Sequence, residues 1–176
     1  PYIIEGLSAY KEYVLKELEA PNGYYLFDND YSFNVSNSEG LQKIEVQNEL
    51  VLKNIIINKK DSDTLDLIRK DFSFGLFEDE ECTKLIKEIK SNKDGTIAFN
   101  DLEVGTYFIK ETIAPEGYNL SEKVLKVEIK ADKQKGIIID DEVQNEENYT
   151  AKIDFENEIQ KGKIKNIQKV LPKTGF

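Results

Sequence analysis

The sequence predicts an all-β chain folded as a sandwich of short strands, on three observations. Apolar and polar residues alternate with period 2, turn signals recur at short intervals, and one stretch of the chain repeats another. Alternation at period 2 puts every second side chain on one face of a strand, so each run declares a core face. No convincing helical period competes with it, and 78–90 has room for one helical turn at most.

Taken in chain order, Tyr13, Leu15 and Glu17 share a face, as do Ile44, Val46 and Asn48. Ile55, Ile57 and Lys59 form the next, followed by Phe72, Phe74 and Leu76. Asp94-Gly95 is a hairpin signal, because both residue types tolerate the left-handed backbone a tight turn needs, and Ile97 and Phe99 follow it. Tyr107, Ile109 and Glu111 lead into a tight turn at Pro115-Glu116-Gly117. Leu125, Val127 and Ile129 make another face, and Ile153, Phe155 and Asn157 the last. The polar stretch 140–150 reads as an insertion between them.

The repeat sets the domain organisation. Residues 13–24 (Tyr-Val-Leu-Lys-Glu-Leu-Glu-Ala-Pro-Asn-Gly-Tyr) align with 107–118 (Tyr-Phe-Ile-Lys-Glu-Thr-Ile-Ala-Pro-Glu-Gly-Tyr), always 94 positions apart. Downstream, 44–49 resembles 153–158. Only the second copy has strands ahead of its Tyr…Glu segment. The expected organisation is therefore the C-terminal half of a repeat over 1–50, a complete repeat over 51–162, and a linker with a terminal motif over 163–176.

Composition narrows the chemistry. Acidic residues outnumber basic ones 34 to 24, and the net charge of -10 disfavours nucleic acid and anionic lipid as partners. One cysteine and no histidine exclude a disulfide framework, a Cys/His zinc site and a His-based triad. Cys82, in a polar stretch, reads as a bystander thiol without a base. Asp28-Asn29-Asp30 and Asp61-Ser62-Asp63 read as solvated turn acids, lacking the spaced loop of a calcium site. No cofactor, metal or outside substrate is expected, and no stretch approaches the roughly 18 apolar residues of a membrane span.

Within the complete repeat three core faces end in polar groups: Lys59, Glu111 and Asn157. Burying an unpaired charge or amide costs several kcal/mol, so these groups either meet each other or lie outside the core. If they meet, desolvation favours a neutral Lys59 amine and a protonated Glu111. Glu111 could then polarise the Asn157 carboxamide and carry protons while the amine attacks and expels ammonia, leaving an intramolecular amide. The other reading has Lys59 snorkelling to the sheet edge, Glu111 in an ordinary ion pair and Asn157 capping a turn. The repeat favours the first, since Glu17 and Asn48 stand at the matching places of the partial copy.

Lys59-Lys60-Asp61, the segment 105–118 with Glu111, and Phe155-Glu156-Asn157-Glu158-Ile159 together resemble the B-type repeat of collagen adhesins and related domains of Gram-positive pilins. In those proteins the middle segment is the E-box. The resemblance covers 53–162 in full and 1–50 in part. It implies an immunoglobulin-like or transthyretin-like sandwich, with Lys59 and Asn157 joined by an isopeptide bond and Glu111 as its catalyst. In the partial copy Glu17 and Asn48 take the corresponding roles without a lysine. Lys60 and Asn145 are the alternatives to Lys59 and Asn157.

The last residues, Leu171, Pro172, Lys173, Thr174 and Gly175, match the sortase pentapeptide Leu-Pro-any-Thr-Gly, after a basic stretch over 161–169. By resemblance, a sortase cysteine attacks the Thr174 carbonyl, Gly175 leaves, and Thr174 is joined to a peptidoglycan precursor or a neighbouring pilin subunit. The apolar span and basic tail usual after this motif are not in the sequence, and Pro1-Tyr2 does not open like a signal peptide, so a segment of a longer secreted protein is expected. The implied function is a non-enzymatic stalk or shaft segment at the cell wall of a Gram-positive bacterium. The alternative is an adhesin for a host matrix protein such as collagen or fibrinogen.

Overall fold

The computed structural model describes residues 3–37, 41–91 and 93–161, and over them the chain forms twelve strands and no helix. β1 (Glu12–Leu15) and β2 (Tyr31–Asn34) make a two-stranded antiparallel sheet. The remaining strands are β3 (Lys53–Asp61), β4 (Ser73–Phe77), β5 (Leu85–Lys90), β6 (Thr96–Leu102), β7 (Gly105–Ile113), β8 (Val124–Ile129), β9 (Ile137–Ile139), β10 (Glu142–Val143), β11 (Glu146–Glu147) and β12 (Thr150–Asn157).

They form two sheets, a six-stranded one in the order β10-β9-β8-β7-β4-β5 and a four-stranded one in the order β11-β12-β3-β6. The chain is thus an all-β sandwich. Its core lies between the sheets, where Ile55, Ile57, Phe99, Ala151 and Phe155 of one meet Phe74, Ile109, Leu125 and Val127 of the other. Burial along β3 alternates without a break over nine residues, as the period-2 pattern predicts.

Local chemistry sets the turns. Lys93 and Gly95 take positive φ at the predicted hairpin, and the Asp94 carboxylate accepts from the Thr96 amide at 2.7 Å. Gly117 has φ 89° in the turn where the Tyr118 amide donates to the Pro115 carbonyl at 3.0 Å. At 78–84, the Asp79 carboxylate accepts from the amides of Thr83 and Lys84, which closes the segment as a turn before β5. Cys82 sits in that turn with φ 54°, and burial pushes its thiol pKa up, away from thiolate character.

Most pairings are antiparallel, but β12 lies parallel beside β3, with Phe155 opposite Lys59 and Asn157 opposite Asp61. The first and last strands of the sandwich are therefore neighbours, which is possible only because the intervening strands supply the long crossover a parallel pair requires. The predicted insertion at 140–150 instead contributes β10 and β11, each pairing at a sheet edge. Its polar composition concealed this, since two-residue strands carry no readable period.

Phe99→Ala empties a core position and is expected to cost about 3–5 kcal/mol in denaturant unfolding. Leu85→Ala, on the exposed edge strand β5, is expected to stay within about 0.5 kcal/mol of the parent protein.

Candidate functional site

Lys59, Glu111 and Asn157 meet inside the sandwich at 0, 1 and 3 % exposure. Lys59 and Asn157 share the inward face of the parallel β3–β12 pair, two residues out of register, so the long lysine side chain reaches the carboxamide diagonally. Glu111 comes from β7 in the facing sheet, where it stands opposite Phe74 of β4.

The polar contacts close on themselves. Lys59 Nζ lies 2.7 Å from Glu111 Oε1 and donates to Asn157 Oδ1. Asn157 Nδ2 donates to Glu111 Oε1 and Oε2 at 3.1 and 2.8 Å and to the Asn119 carbonyl at 2.7 Å. The Ser121 amide donates to Glu111 Oε2 at 2.9 Å. Aromatic rings wall the group off, with Nζ 4.2 Å from the Phe155 centroid and 5.1 Å from that of Phe74. Burial lowers the Lys59 pKa to about 8, with the Glu111 contact opposing the shift.

The alternatives named from sequence lie elsewhere. Lys60 points outward and pairs with Asp154 at 2.6 Å. Asn145 is exposed beside β11, at the far end of β12 from Asn157, a separation of roughly 20 Å along the strand. The Asp61 carboxylate is occupied by the amides of Asp63 and Thr64 and by the Tyr118 hydroxyl, the last at 2.8 Å. These bonds hold its pKa below the ordinary carboxylate range.

The N-terminal segment builds the same cage without its lysine. Asn48 Nδ2 donates to Glu17 Oε2 at 2.7 Å and to the Tyr25 carbonyl at 3.0 Å, and the Phe27 amide donates to Glu17 Oε2 at 2.7 Å. Each donor and acceptor is the aligned counterpart of one around Glu111. The register agrees too: Tyr13 pairs with Phe33 as Tyr107 pairs with Val127, and Leu15 with Tyr31 as Ile109 with Leu125. One difference is that 44–48 forms no strand, whereas its counterpart is the end of β12 held along β3.

A second buried ion pair escaped the sequence reading. Lys53, at the start of β3, is fully buried, with Nζ 2.5 Å from Glu146 Oε2 and 2.7 Å from the Asp132 carbonyl. Glu146 falls within the polar stretch 140–150. The signal was on the other partner, because Lys53 continues the face of Ile55, Ile57 and Lys59 by one step. The motif Leu171, Pro172, Lys173, Thr174 and Gly175 lies outside the described residues.

Glu111→Ala leaves a buried ammonium and a buried carboxamide without their partner and is expected to cost at least about 3 kcal/mol in denaturant unfolding. Asn145→Ala, on the surface, is expected to change stability by less than about 0.5 kcal/mol.

Comparison with known proteins agrees with this architecture. The model of the SpaA prealbumin-like fold domain matches residues 4–50 and again 53–146. Among solved structures, the chain is similar to the Bacillus anthracis TIE protein, with 26% identity and a TM-score of 0.61 over 85% of this chain and 25% of that one. It thus spans about a quarter of that protein. It also shares its fold with the C-terminal fragment of the pilus adhesin SpaC from Lactobacillus rhamnosus GG, with 19% identity and a TM-score of 0.59 over 87% of this chain and 78% of that one. No curated protein matches it in sequence. One domain model thus recognises the N-terminal segment and the sandwich in turn, and the chain belongs to the SpaA prealbumin-like fold domain family.

Proposed function

We propose that this chain is a structural shaft segment of a sortase-anchored Gram-positive surface protein or pilin, stabilised by an isopeptide bond between Lys59 and Asn157. The observation that carries the reading is the closed, buried contact of an amine, a carboxylate and a carboxamide. Among the described residues the other buried lysine, Lys53, faces Glu146 and a backbone carbonyl, and neither is a primary carboxamide that could release ammonia.

The reaction balances within the cage. Lys59 passes a proton to Glu111 Oε1, across 2.7 Å, and becomes a neutral amine. Its lone pair attacks Asn157 Cγ, and the carbonyl electrons move onto Oδ1. When the carbonyl re-forms, the Cγ–Nδ2 bond breaks, and Glu111 protonates Nδ2 so that it departs as ammonia. Glu111 then takes the second proton from the new amide nitrogen and yields it to the ammonia as ammonium. The lowered Lys59 pKa supports the first step, and the aromatic walls favour it by keeping water out.

The bond would close a loop across 98 positions, which loop-entropy bookkeeping values at about 4–5 kcal/mol. In the N-terminal segment, Glu17 and Asn48 would play the same parts toward a lysine on an added strand. Attachment would run through Leu171, Pro172, Lys173, Thr174 and Gly175, with sortase as the processing partner and a peptidoglycan precursor or a neighbouring subunit as acceptor. The fold shared with a pilus adhesin fragment supports a place at the cell surface.

Intact mass of the purified chain is expected to fall one ammonia short of the sequence mass, and Glu111→Ala to restore it. A parent protein at full mass would refute the bond. In refolded chain that is still at its full sequence mass, the rate of bond formation should be level below about pH 8 and fall above it, as the Lys59–Glu111 pair loses the proton that Glu111 must deliver to Nδ2. A rate that keeps rising well above pH 8 would contradict Glu111 as the acid that releases ammonia. Incubation with a sortase and a glycine-rich amine should couple the amine to Thr174 and release Gly175-Phe176, and Thr174→Ala should abolish coupling.

A further inference from the structure

The junction between the N-terminal segment and the sandwich carries features that the polar cage does not require. Tyr25 contributes only its carbonyl to the Glu17–Asn48 cage, and the aligned residue around Glu111 is Asn119, which does the same with no ring. Val51 is likewise aligned with Gln160, through matching amide bonds to the Gly23 and Gly117 carbonyls. Yet Tyr25 and Val51 are 4 and 0 % exposed and belong to the apolar core of the sandwich. Their apolar side chains answer a need outside their own cage.

What they meet is a lysine-centred socket at one end of the sandwich. Lys53 Nζ is fixed by Glu146 and the Asp132 carbonyl, and Glu146 Oε1 is fixed in turn by the Ile137 amide at 2.8 Å. The rings of Tyr149 and Tyr25 lie 5.0 and 5.8 Å from that ammonium, and 6.0 Å from each other. Lys133 Nζ stands 5.7 Å from the Tyr25 ring. Tyr149 holds its ring there from a left-handed backbone, φ 59°, directly after Asn148 at φ 51°, a conformation bulky residues rarely adopt.

We infer that this end of the sandwich is a docking socket for an aromatic side chain of the preceding segment, with Tyr25 as its plug and Lys53 as its floor, so that segment and sandwich hold one fixed orientation. The partner it fits is a tight turn bearing an aromatic residue next to an apolar one. A ring gains from cations on its faces and from burial, whereas an asparagine at the same place would leave the Lys53 ammonium with its two oxygen partners and the Tyr149 ring on one side alone.

The ring, and not the hydroxyl, makes this contact. The Tyr25 hydroxyl is buried with no hydrogen-bond partner among the described residues, and burial above all pushes its pKa up to about 12. Tyr25→Phe therefore keeps the socket filled, while Tyr25→Asn, which copies the residue of the second cage, empties it.

The test is residual dipolar coupling of the whole chain, fitted separately for the N-terminal segment and the sandwich. A single alignment tensor is expected for the parent protein and for Tyr25→Phe, and two different tensors for Tyr25→Asn. An unchanged amide spectrum over β4 to β8 in Tyr25→Asn would show that the sandwich is still folded. Two tensors in the parent protein, or one tensor retained in Tyr25→Asn, would overturn the inference.

Discussion

A fully buried ammonium is the constraint on which the rest of this sandwich depends. Lys59 stands where an apolar residue would cost nothing, and its charge is tolerable only with Glu111 and Asn157 brought to it from two other strands. That requirement explains the topology around it. The last strand must lie beside the first, in parallel, and β7 must face them across the core. The aromatic residues on either side, Phe74 and Phe155, pack edge to face at 4.8 Å and complete the enclosure.

The two buried lysines divide the labour between chemistry and assembly. Both open a strand face of isoleucines or close it, and both meet a buried glutamate. Lys59 adds a carboxamide and is surrounded by elements of one sandwich. Lys53 adds a carbonyl and two tyrosine rings, one of them from the neighbouring segment. The same residue type on the same face of β3 is thereby set to two uses by what lies opposite each end.

Much of this was legible in the sequence because burial and polarity disagreed at identifiable places. Alternation marked β3, β7, β8 and β12, and a polar group at the end of an apolar face singled out Lys59, Glu111 and Asn157. The repeat added Glu17 and Asn48, whose hydrogen bonds reproduce the second cage. Asn157 stood out over Asn145 because the alternation of Ile153 and Phe155 leads into it, and strand pairing sets Asn145 beside the opposite end of β12. Glu146 was illegible for a related reason. It is buried by a two-residue strand in a polar run, a context without period, and its burial follows from a lysine 93 positions away.

The parallel neighbourhood of β3 and β12 also decides how the sandwich responds to tension. The chain enters at Lys53 and leaves beyond Asn157, at opposite ends of two strands that run side by side in the same direction. Before any Lys59–Asn157 bond forms, pulling on those ends slides one strand along the other, so every rung between Thr150–Asn54 and Asn157–Asp61 resists at once. A pair with entry and exit at the same end would open one rung at a time. The unbonded sandwich is loaded in shear, and its rupture requires the whole ladder to fail together.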